Sequence, residues 1–121
     1  MHRPHLISAA LVAACLALAL PASSFAHAGI KSYSPKRGST VARDLAAVRI
    51  TFKARITDGN LLVRKASGTK VSRGSGRVVS KHRAVRALLK PGLKAGRYKA
   101  TAHWLNADGH VEIESWSFRL R

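Results

Sequence analysis

The sequence predicts an all-β domain built as an antiparallel β-sandwich, and a small barrel is the alternative. Three observations favour this class. Turn-forming residues recur every eight to twelve residues, hydrophobic and polar residues alternate between them, and neither helical periodicity nor an internal repeat occurs beyond the first 26 residues. Short alternating strands joined by frequent turns are typical of two packed antiparallel sheets.

The first 26 residues have the pattern of a helical secretory signal peptide. Arg3 supplies a cationic start, an apolar run covers residues 6–20, and small residues at Ser24 and Ala26 form an A-x-A-like cleavage site. The run of about fifteen residues is short for a membrane span. We therefore predict cleavage after Ala26 and a periplasmic or otherwise exported protein.

Cleavage there divides the chain into a signal peptide over 1–26 and a single domain over 27–121. The 95 residues left of the original 121 suffice for one domain but not two. One alternative is open, because the sequence Val-Ala-Ala-Cys ending at Cys15 resembles a bacterial lipoprotein box. Lipidation at Cys15 would leave His27 inside the chain without a free amine.

Composition excludes several kinds of site. The only cysteine, Cys15, and the only methionine, Met1, lie in the signal peptide. The exported domain therefore has no disulfide, no thiolate ligand or nucleophile, and no methionine-rich site for Cu(I).

The charge balance of the exported domain is strongly positive. Loss of Arg3 leaves 21 Lys and Arg side chains against five acids, a net charge of +16. Such a charge attracts polyanions, although export argues against nucleic acid. The cations are spread along the chain, which is typical of a solvated surface, and the alternative function is a cationic module that recognises anionic components of the cell envelope.

The first half of the domain shows two clear strands. A short strand ends at Pro35 and is followed by a turn at Arg37-Gly38, whereas residues 41–47 are ambiguous. Residues 48–56 alternate with a period of two and predict a half-buried strand with a cationic outer face. Asp-Gly within residues 57–60 then predicts a tight turn.

The second half continues the same pattern. We predict, in order, a strand over 61–65, a turn over 66–69, a flexible connection or weak edge strand over 70–81, a strand over 85–89, a loop over 90–96, and a strand whose core face is Tyr98, Ala100, Ala102 and Trp104.

The last strand contains a break in its alternation. Its apolar residues are Val111 and Ile113, and then Trp116, Phe118 and Leu120, so the spacing changes from two to three. We predict a β-bulge near Glu114 and Ser115, which would leave His110, Glu112 and Glu114 outside the core.

Three of the five acids of the domain surround one histidine just before this strand. On an extended backbone Asp108 and His110 project to the same face, with Cα atoms about 6.6 Å apart. Their spacing suits two ligands of one metal ion, and it equally suits a plain carboxylate–imidazole hydrogen bond. Spacing alone leaves both interpretations open.

Segments over nearly the whole domain carry a resemblance to a known family. They are His27-Ala28 at the cleavage point, Ser34-Pro35 with Gly38, Val48-x-Ile50-x-Phe52, Leu93-x-x-Gly96-x-Tyr98, Ala107-Asp108-Gly109-His110 and Trp116-x-Phe118-x-Leu120. In their order and spacing they resemble the CopC family of periplasmic copper-binding proteins. The chain departs from the family pattern at Ala102, where a tryptophan is usual, and at Val111 and Glu114, where proline and glycine are common.

The resemblance implies an immunoglobulin-like Greek-key β-sandwich that binds one Cu(II) ion at its edge. The ligands that it implies are the amine and imidazole of His27 together with Asp108 and His110. Three nitrogens and one carboxylate oxygen suit tetragonal Cu(II), although Zn(II) could use the same donors. His103 and His82 are weaker candidate ligands, and we expect Glu112 and Glu114 to compensate nearby cations or to hydrogen-bond the ligands.

The leading hypothesis is an exported, non-enzymatic Cu(II)-binding protein. It would sequester copper or pass it to an inner-membrane copper transporter or another copper protein. An enzyme is disfavoured because the domain has no cysteine nucleophile and no Gly-x-Ser-x-Gly motif. A copper oxygenase would need a second histidine and a broad substrate surface, for which 95 residues leave little room.

Overall fold

A computed structural model describes residues 29–121. The predicted signal peptide over 1–26 and His27 lie outside this range. The described residues form two four-stranded sheets without a helix. Within residues 29–121 no helix is long and apolar enough to cross a membrane.

Eight strands follow one another along the chain. They are β1 (Ile30–Ser34), β2 (Thr40–Val41), β3 (Ala47–Phe52), β4 (Ile56–Lys65), β5 (Arg77–Val79), β6 (Ala84–Leu88), β7 (Gly96–Asn106) and β8 (Val111–Leu120). The first sheet has the order β1-β3-β6-β5 and the second β2-β8-β7-β4. All neighbours are antiparallel except β2 and β8. The predicted immunoglobulin-like Greek-key β-sandwich is therefore confirmed.

The core lies between the sheets and is supplied by alternate residues of the strands. In β3 and β7 the inward residues are those that the alternation predicts, because a side chain at every second position faces the same side. Each large apolar side chain buried in this way stabilises the fold by about 1.5–3 kcal/mol. The largest fully buried apolar side chains are Trp116, Phe118, Ile50, Leu61, Val48, Val63 and Val85.

The strand predicted over residues 48–56 is in fact divided between the two sheets. β3 ends at Phe52 and β4 begins at Ile56. Between them Lys53 donates to the carbonyl of Gly29, and Ile56 donates to that of His82. The apolar alternation of the sequence runs through Phe52, Ala54 and Ile56 and hides the crossing, although Ala54 is exposed while the other two are buried.

The tight turn predicted over residues 57–60 is wrong, because these residues lie inside β4. The pairing of β4 with β7 is irregular between Ile56 and Asp58 and then regular to the end of the strand. Gly59 is needed for close packing of the strands and not for a turn. A Cβ there would lie 2.8 Å from Val85 Cγ2 and 3.2 Å from the His103 carbonyl oxygen. The glycine allows β4 to approach both neighbours closely.

The β-bulge predicted near Glu114 is also wrong. β8 pairs with β7 without interruption from Val111 to Leu120. Val111 and Ile113 instead face solvent, with 66% and 57% of their surface exposed, whereas Glu114 is buried. A continuous period of two is therefore retained, with a carboxylate at an inward position and aliphatic side chains at outward positions.

Candidate metal centre

Asp108 and His110 lie in the hairpin loop that joins β7 to β8. The last strand pair is Leu105 with Val111, and the loop is closed by the Asn106 amide donating to the His110 carbonyl, 2.8 Å away. Gly109 has a φ of 92°, a conformation that favours glycine. Below the loop, Trp104 Nε1 donates to Asn106 Oδ1 at 3.2 Å. The loop is therefore short and is attached to a buried tryptophan.

The two predicted side chains contact each other directly. Asp108 Oδ2 lies 3.1 Å from His110 Nδ1, and Asp108 Oδ1 accepts a hydrogen bond from the His110 amide, also at 3.1 Å. Both side chains are exposed, the imidazole to 78% and the carboxylate to 65%. Among residues 29–121 the ring atom His110 Nε2 has no hydrogen-bond partner. The carboxylate thus orients an imidazole that solvent reaches freely.

Each group stabilises the charged form of the other. The hydrogen bond from the His110 side chain, followed by that from its amide, lowers the pKa of Asp108. The hydrogen bond and the charge of Asp108 raise the pKa of His110, and the charge of Glu112 adds a smaller effect. Asp108 and Glu112 thus place two negative charges beside His110 on a cationic protein, which favours the approach of a cation.

The spacing of these donors fits metal binding. Protein nitrogen and oxygen ligands lie about 2.0–2.2 Å from a divalent transition metal. Two such ligands at a right angle stand roughly 2.8–3.1 Å apart, and Asp108 Oδ2 and His110 Nδ1 are separated by 3.1 Å. An imidazole nitrogen and a carboxylate oxygen suit Cu(II). Within residues 29–121, however, no group of three or more potential ligands is present.

The first described residues of β1 begin at the same end of the sandwich as this loop. Gly29 accepts a hydrogen bond from Lys53, and Ile30 pairs with Phe52. The ring of Phe52 packs 4.7 Å from that of Trp104, the residue two positions before Asn106. His27 lies outside the described residues, but it precedes Gly29 by only two positions, a reach of about 7 Å.

Of the other acids near the loop, Glu112 is half-buried and Glu114 is buried. The expectation that both would remain outside the core is therefore wrong for Glu114. Its Oε2 accepts hydrogen bonds from Tyr33 Oη at 2.7 Å and from Arg37 Nη2 at 3.2 Å. Burial, followed by the bond to Glu114, raises the pKa of Tyr33, so the phenol keeps the proton that it donates.

The hydrogen-bonded group of Glu114, Tyr33 and Arg37 was not predicted from the sequence, although it helps to position β1. Tyr33 packs on Trp116 with ring centroids 4.7 Å apart, and Trp116 Nε1 donates to the Pro35 carbonyl. Together with Glu114 these contacts attach β1 to the second sheet. If the alternation is continued from Trp116 toward the start of the strand without a break, Glu114 falls at an inward position. A carboxylate at such a position would have indicated a polar partner.

The two weaker histidine candidates lie outside the β7–β8 loop. His103 is half-buried on the outer face of β7, opposite Ile113, and lines a cleft of about 390 Å³ with Asp58 and Val111. His82 is exposed in the turn between β5 and β6. Neither belongs to a cluster of metal-binding side chains in the described part of the chain.

Comparison with known proteins gives one family. The sequence model of one family, described as the CopC domain, matches residues 30–121 of this chain. No curated protein matches the sequence significantly.

Two solved structures illustrate the likeness of the fold. CopC from Methylosinus trichosporium OB3b superposes with a TM-score of 0.63 at 22% identity, over 76% of this chain and 91% of that one. PcoC, a methionine rich copper resistance protein from Escherichia coli, superposes with a TM-score of 0.62 at 18% identity, over 77% of this chain and 97% of that one. At these identities the two structures establish similarity of fold.

Proposed function

The chain belongs to the CopC family, and on this premise we propose that it is an exported copper-resistance protein that binds one Cu(II) ion through His27, Asp108 and His110. The observation that carries the proposal is the exposed contact of 3.1 Å between Asp108 and His110 at the end of the sandwich where β1 begins. PcoC, which has a similar fold, is a copper resistance protein, and this supports the choice of metal.

The proposed ligand set needs the chain to start at His27. Removal of residues 1–26 frees an α-amine with a pKa near 7.7–8.0, so a metal can displace its proton at neutral pH. The amine and the imidazole of one residue then chelate the same ion, while the β7–β8 loop contributes an imidazole and a carboxylate. Copper is favoured over zinc by the general affinity order of divalent metals.

In this function the protein is a carrier rather than an enzyme. It holds copper outside the cytoplasm, either to sequester it or to pass it to a membrane transporter or another copper protein. The exposure of Asp108 and His110 supports transfer, because a ligand at the surface can be replaced by a donor of an incoming partner without unfolding the core.

The test is a Cu(II) titration of the exported protein, followed by optical and electron paramagnetic resonance spectroscopy. The mass of the protein is measured first, because it distinguishes a chain that begins at His27 from one lipidated at Cys15. We expect one tightly bound Cu(II) per chain with a tetragonal spectrum. Absence of stoichiometric binding by a chain that begins at His27 would overturn the proposal.

Variants of the loop assign the ligands. His110→Ala and Asp108→Ala should each weaken Cu(II) binding by at least about tenfold, since each removes one donor. Both residues are exposed, so the fold should be retained. His103→Ala is the matched control, because it removes a nearby imidazole from the outer face of β7 and should leave the affinity unchanged. Equal losses in the control and in the loop variants would contradict the assignment.

A further inference from the structure

A row of three arginines crosses the outer face of the first sheet. Arg86 of β6 stands directly opposite Arg49 of β3 on one side and opposite Arg77 of β5 on the other. Residues paired in this way have Cβ atoms about 4.5–5.5 Å apart, and like charges at such positions destabilise a sheet. The fold thus places three cations side by side, where their mutual repulsion destabilises the sheet.

No carboxylate of the described chain compensates this row. The side-chain ion pairs found within residues 29–121 are those of Arg37 with Glu114 and of His110 with Asp108. Arg49 Nη1 donates to the hydroxyl of Ser80 at 3.0 Å, which leaves its charge unneutralised. Arg77 and Arg86 are exposed and make no side-chain hydrogen bond to another described residue.

Two of these arginines line a cavity of about 310 Å³, which we call the arginine cavity. Arg73 joins Arg77 and Arg86 there, and no acidic residue contributes to its wall. The remaining lining residues are Gly74, Ser75, Gly76 and Leu88. A concave surface is therefore lined by three arginines and by no acidic residue.

The loop that carries Arg73 is attached to both sheets. The Arg73 amide donates to the Leu88 carbonyl of the first sheet, and the Ser75 carbonyl accepts from the Leu61 amide of the second, each at 2.8 Å. Gly76 has a φ of 83°, and a Cβ there would lie 2.9 Å from the Leu61 nitrogen. Because the loop is tied at both ends and packed closely at Gly76, the backbone that carries the three arginines is preorganised.

We propose that the arginine cavity binds a phosphate group. A guanidinium presents a planar pair of N–H donors that matches phosphate oxygens, and several such groups are needed to neutralise a dianion with three or four acceptor oxygens. The bound anion would replace the repulsion between Arg77 and Arg86 by two attractive contacts. The proposal is independent of copper, since the cavity opens on the first sheet and the β7–β8 loop belongs to the second.

The direct test is an NMR titration of the exported protein with inorganic phosphate and with pyrophosphate, at constant ionic strength maintained by chloride. Backbone amide signals of Gly74, Ser75 and Gly76 should shift and saturate. The double variant Arg77→Gln/Arg86→Gln should weaken this binding by at least about tenfold, because each charged contact removed is worth a factor of that order.

A matched control separates a site from general charge. Arg97 and Arg119 form the same kind of opposed pair between β7 and β8, outside the arginine cavity. Arg97→Gln/Arg119→Gln removes the same charge and should retain phosphate binding. Absence of saturable shifts in the unmodified protein, or an equal loss in both double variants, would overturn the proposal.

A second arm identifies the source of the phosphate. Vesicles of phosphatidylglycerol and of phosphatidylcholine are compared in a sedimentation assay, with and without inorganic phosphate. Binding to phosphatidylglycerol that phosphate displaces and that Arg77→Gln/Arg86→Gln abolishes would support a lipid headgroup. Saturable phosphate binding without vesicle binding would support a free phosphate. Vesicle binding lost equally in both double variants would contradict recognition by this cavity.

Discussion

Asp108 holds the imidazole of His110 through two contacts of 3.1 Å, one to the ring and one to the backbone. This arrangement does two things at once. It fixes the direction of an exposed ring, and it stabilises the protonated form of that ring. A proton therefore competes with a metal for His110 at a higher pH than it would for an isolated imidazole.

The titration of His110 tests this contact. In the metal-free protein the pKa of His110 should lie above 6.5 because of the hydrogen bond and charge of Asp108. Asp108→Asn removes the negative charge and should lower the pKa of His110 toward about 6.5, the value of an isolated imidazole. The ring proton signals of His110, followed by NMR against pH, measure both values. An unchanged pKa in the variant would contradict the contact.

The raised pKa of His110 moves the pH dependence of copper binding to higher pH. Because only the deprotonated ring coordinates a metal, Cu(II) affinity should rise as the pH increases through the pKa of His110.

The environment of Glu114 determines how much this residue contributes to the stability of the fold. Its carboxylate is buried and accepts hydrogen bonds from Tyr33 and Arg37, which lie in a distant part of the sequence. Because Arg37 is about half exposed, solvent screens its ion pair with Glu114 and reduces the contribution of that pair to stability.

Glu114→Ala should lower the free energy of unfolding by about 2 kcal/mol, since it removes charged hydrogen bonds and leaves the Tyr33 hydroxyl without this acceptor. Urea denaturation monitored by tryptophan fluorescence measures the change. Tyr33→Phe is the control: it keeps the ring against Trp116 and should cost less. A stability unchanged by Glu114→Ala would show that the buried carboxylate contributes nothing.

At the scale of the element, β8 shows how a strand can invert the usual distribution of residues. Its pairing with β7 is uninterrupted, so Glu114 and Trp116 share the inner face while Val111 and Ile113 share the outer face. The polar inner position is tolerated because Tyr33 and Arg37 supply partners. The aliphatic outer positions pack beside their neighbours on β7, Leu105 and His103.

The double variant Val111→Ser/Ile113→Ser tests this orientation. Substitutions at exposed positions usually change stability by less than about 0.5 kcal/mol each, so we expect a total loss below about 1 kcal/mol. Leu61→Ala is the control for a buried aliphatic residue and should cost about 2–5 kcal/mol. Urea denaturation provides the comparison. If the double variant lost as much stability as the control, Val111 and Ile113 would have to be buried.

At the scale of the whole molecule, the sandwich places the start of β1 and the β7–β8 loop at the same end. β1 begins beside Phe52, whose ring packs on Trp104, and Trp104 lies beneath the β7–β8 loop. A ligand set that combines His27 with Asp108 and His110 therefore depends on the packing of the first sheet on the second. It depends equally on where the signal peptide is removed.

An additional glycine ahead of His27 tests this dependence. It moves the free amine away from the His27 imidazole, so Cu(II) affinity should fall by at least about tenfold while the thermal stability of the metal-free protein is unchanged. Competition with a chelator of known affinity measures the first quantity and calorimetry the second. Equal copper affinity of the two forms would show that the amine is not a ligand.

The sequence by itself determined the all-β class and most of the core. Alternation of apolar residues and the positions of turns are local properties, so a strand such as β7 could be predicted without knowledge of its neighbours. The short separation of these two residues likewise follows from their position in the chain.

Tertiary structure alone decided the features that depend on distant partners. The crossing between Phe52 and Ile56, the partners of Glu114 and the close approach at Gly59 all reflect which strands lie side by side. Glu114 meets Tyr33 across 81 residues of sequence, and no local pattern encodes that contact. The energetic effect of a buried charge, of a glycine at a close contact or of a change of sheet depends on the residues that pack against it. These features therefore follow only from the assembled fold.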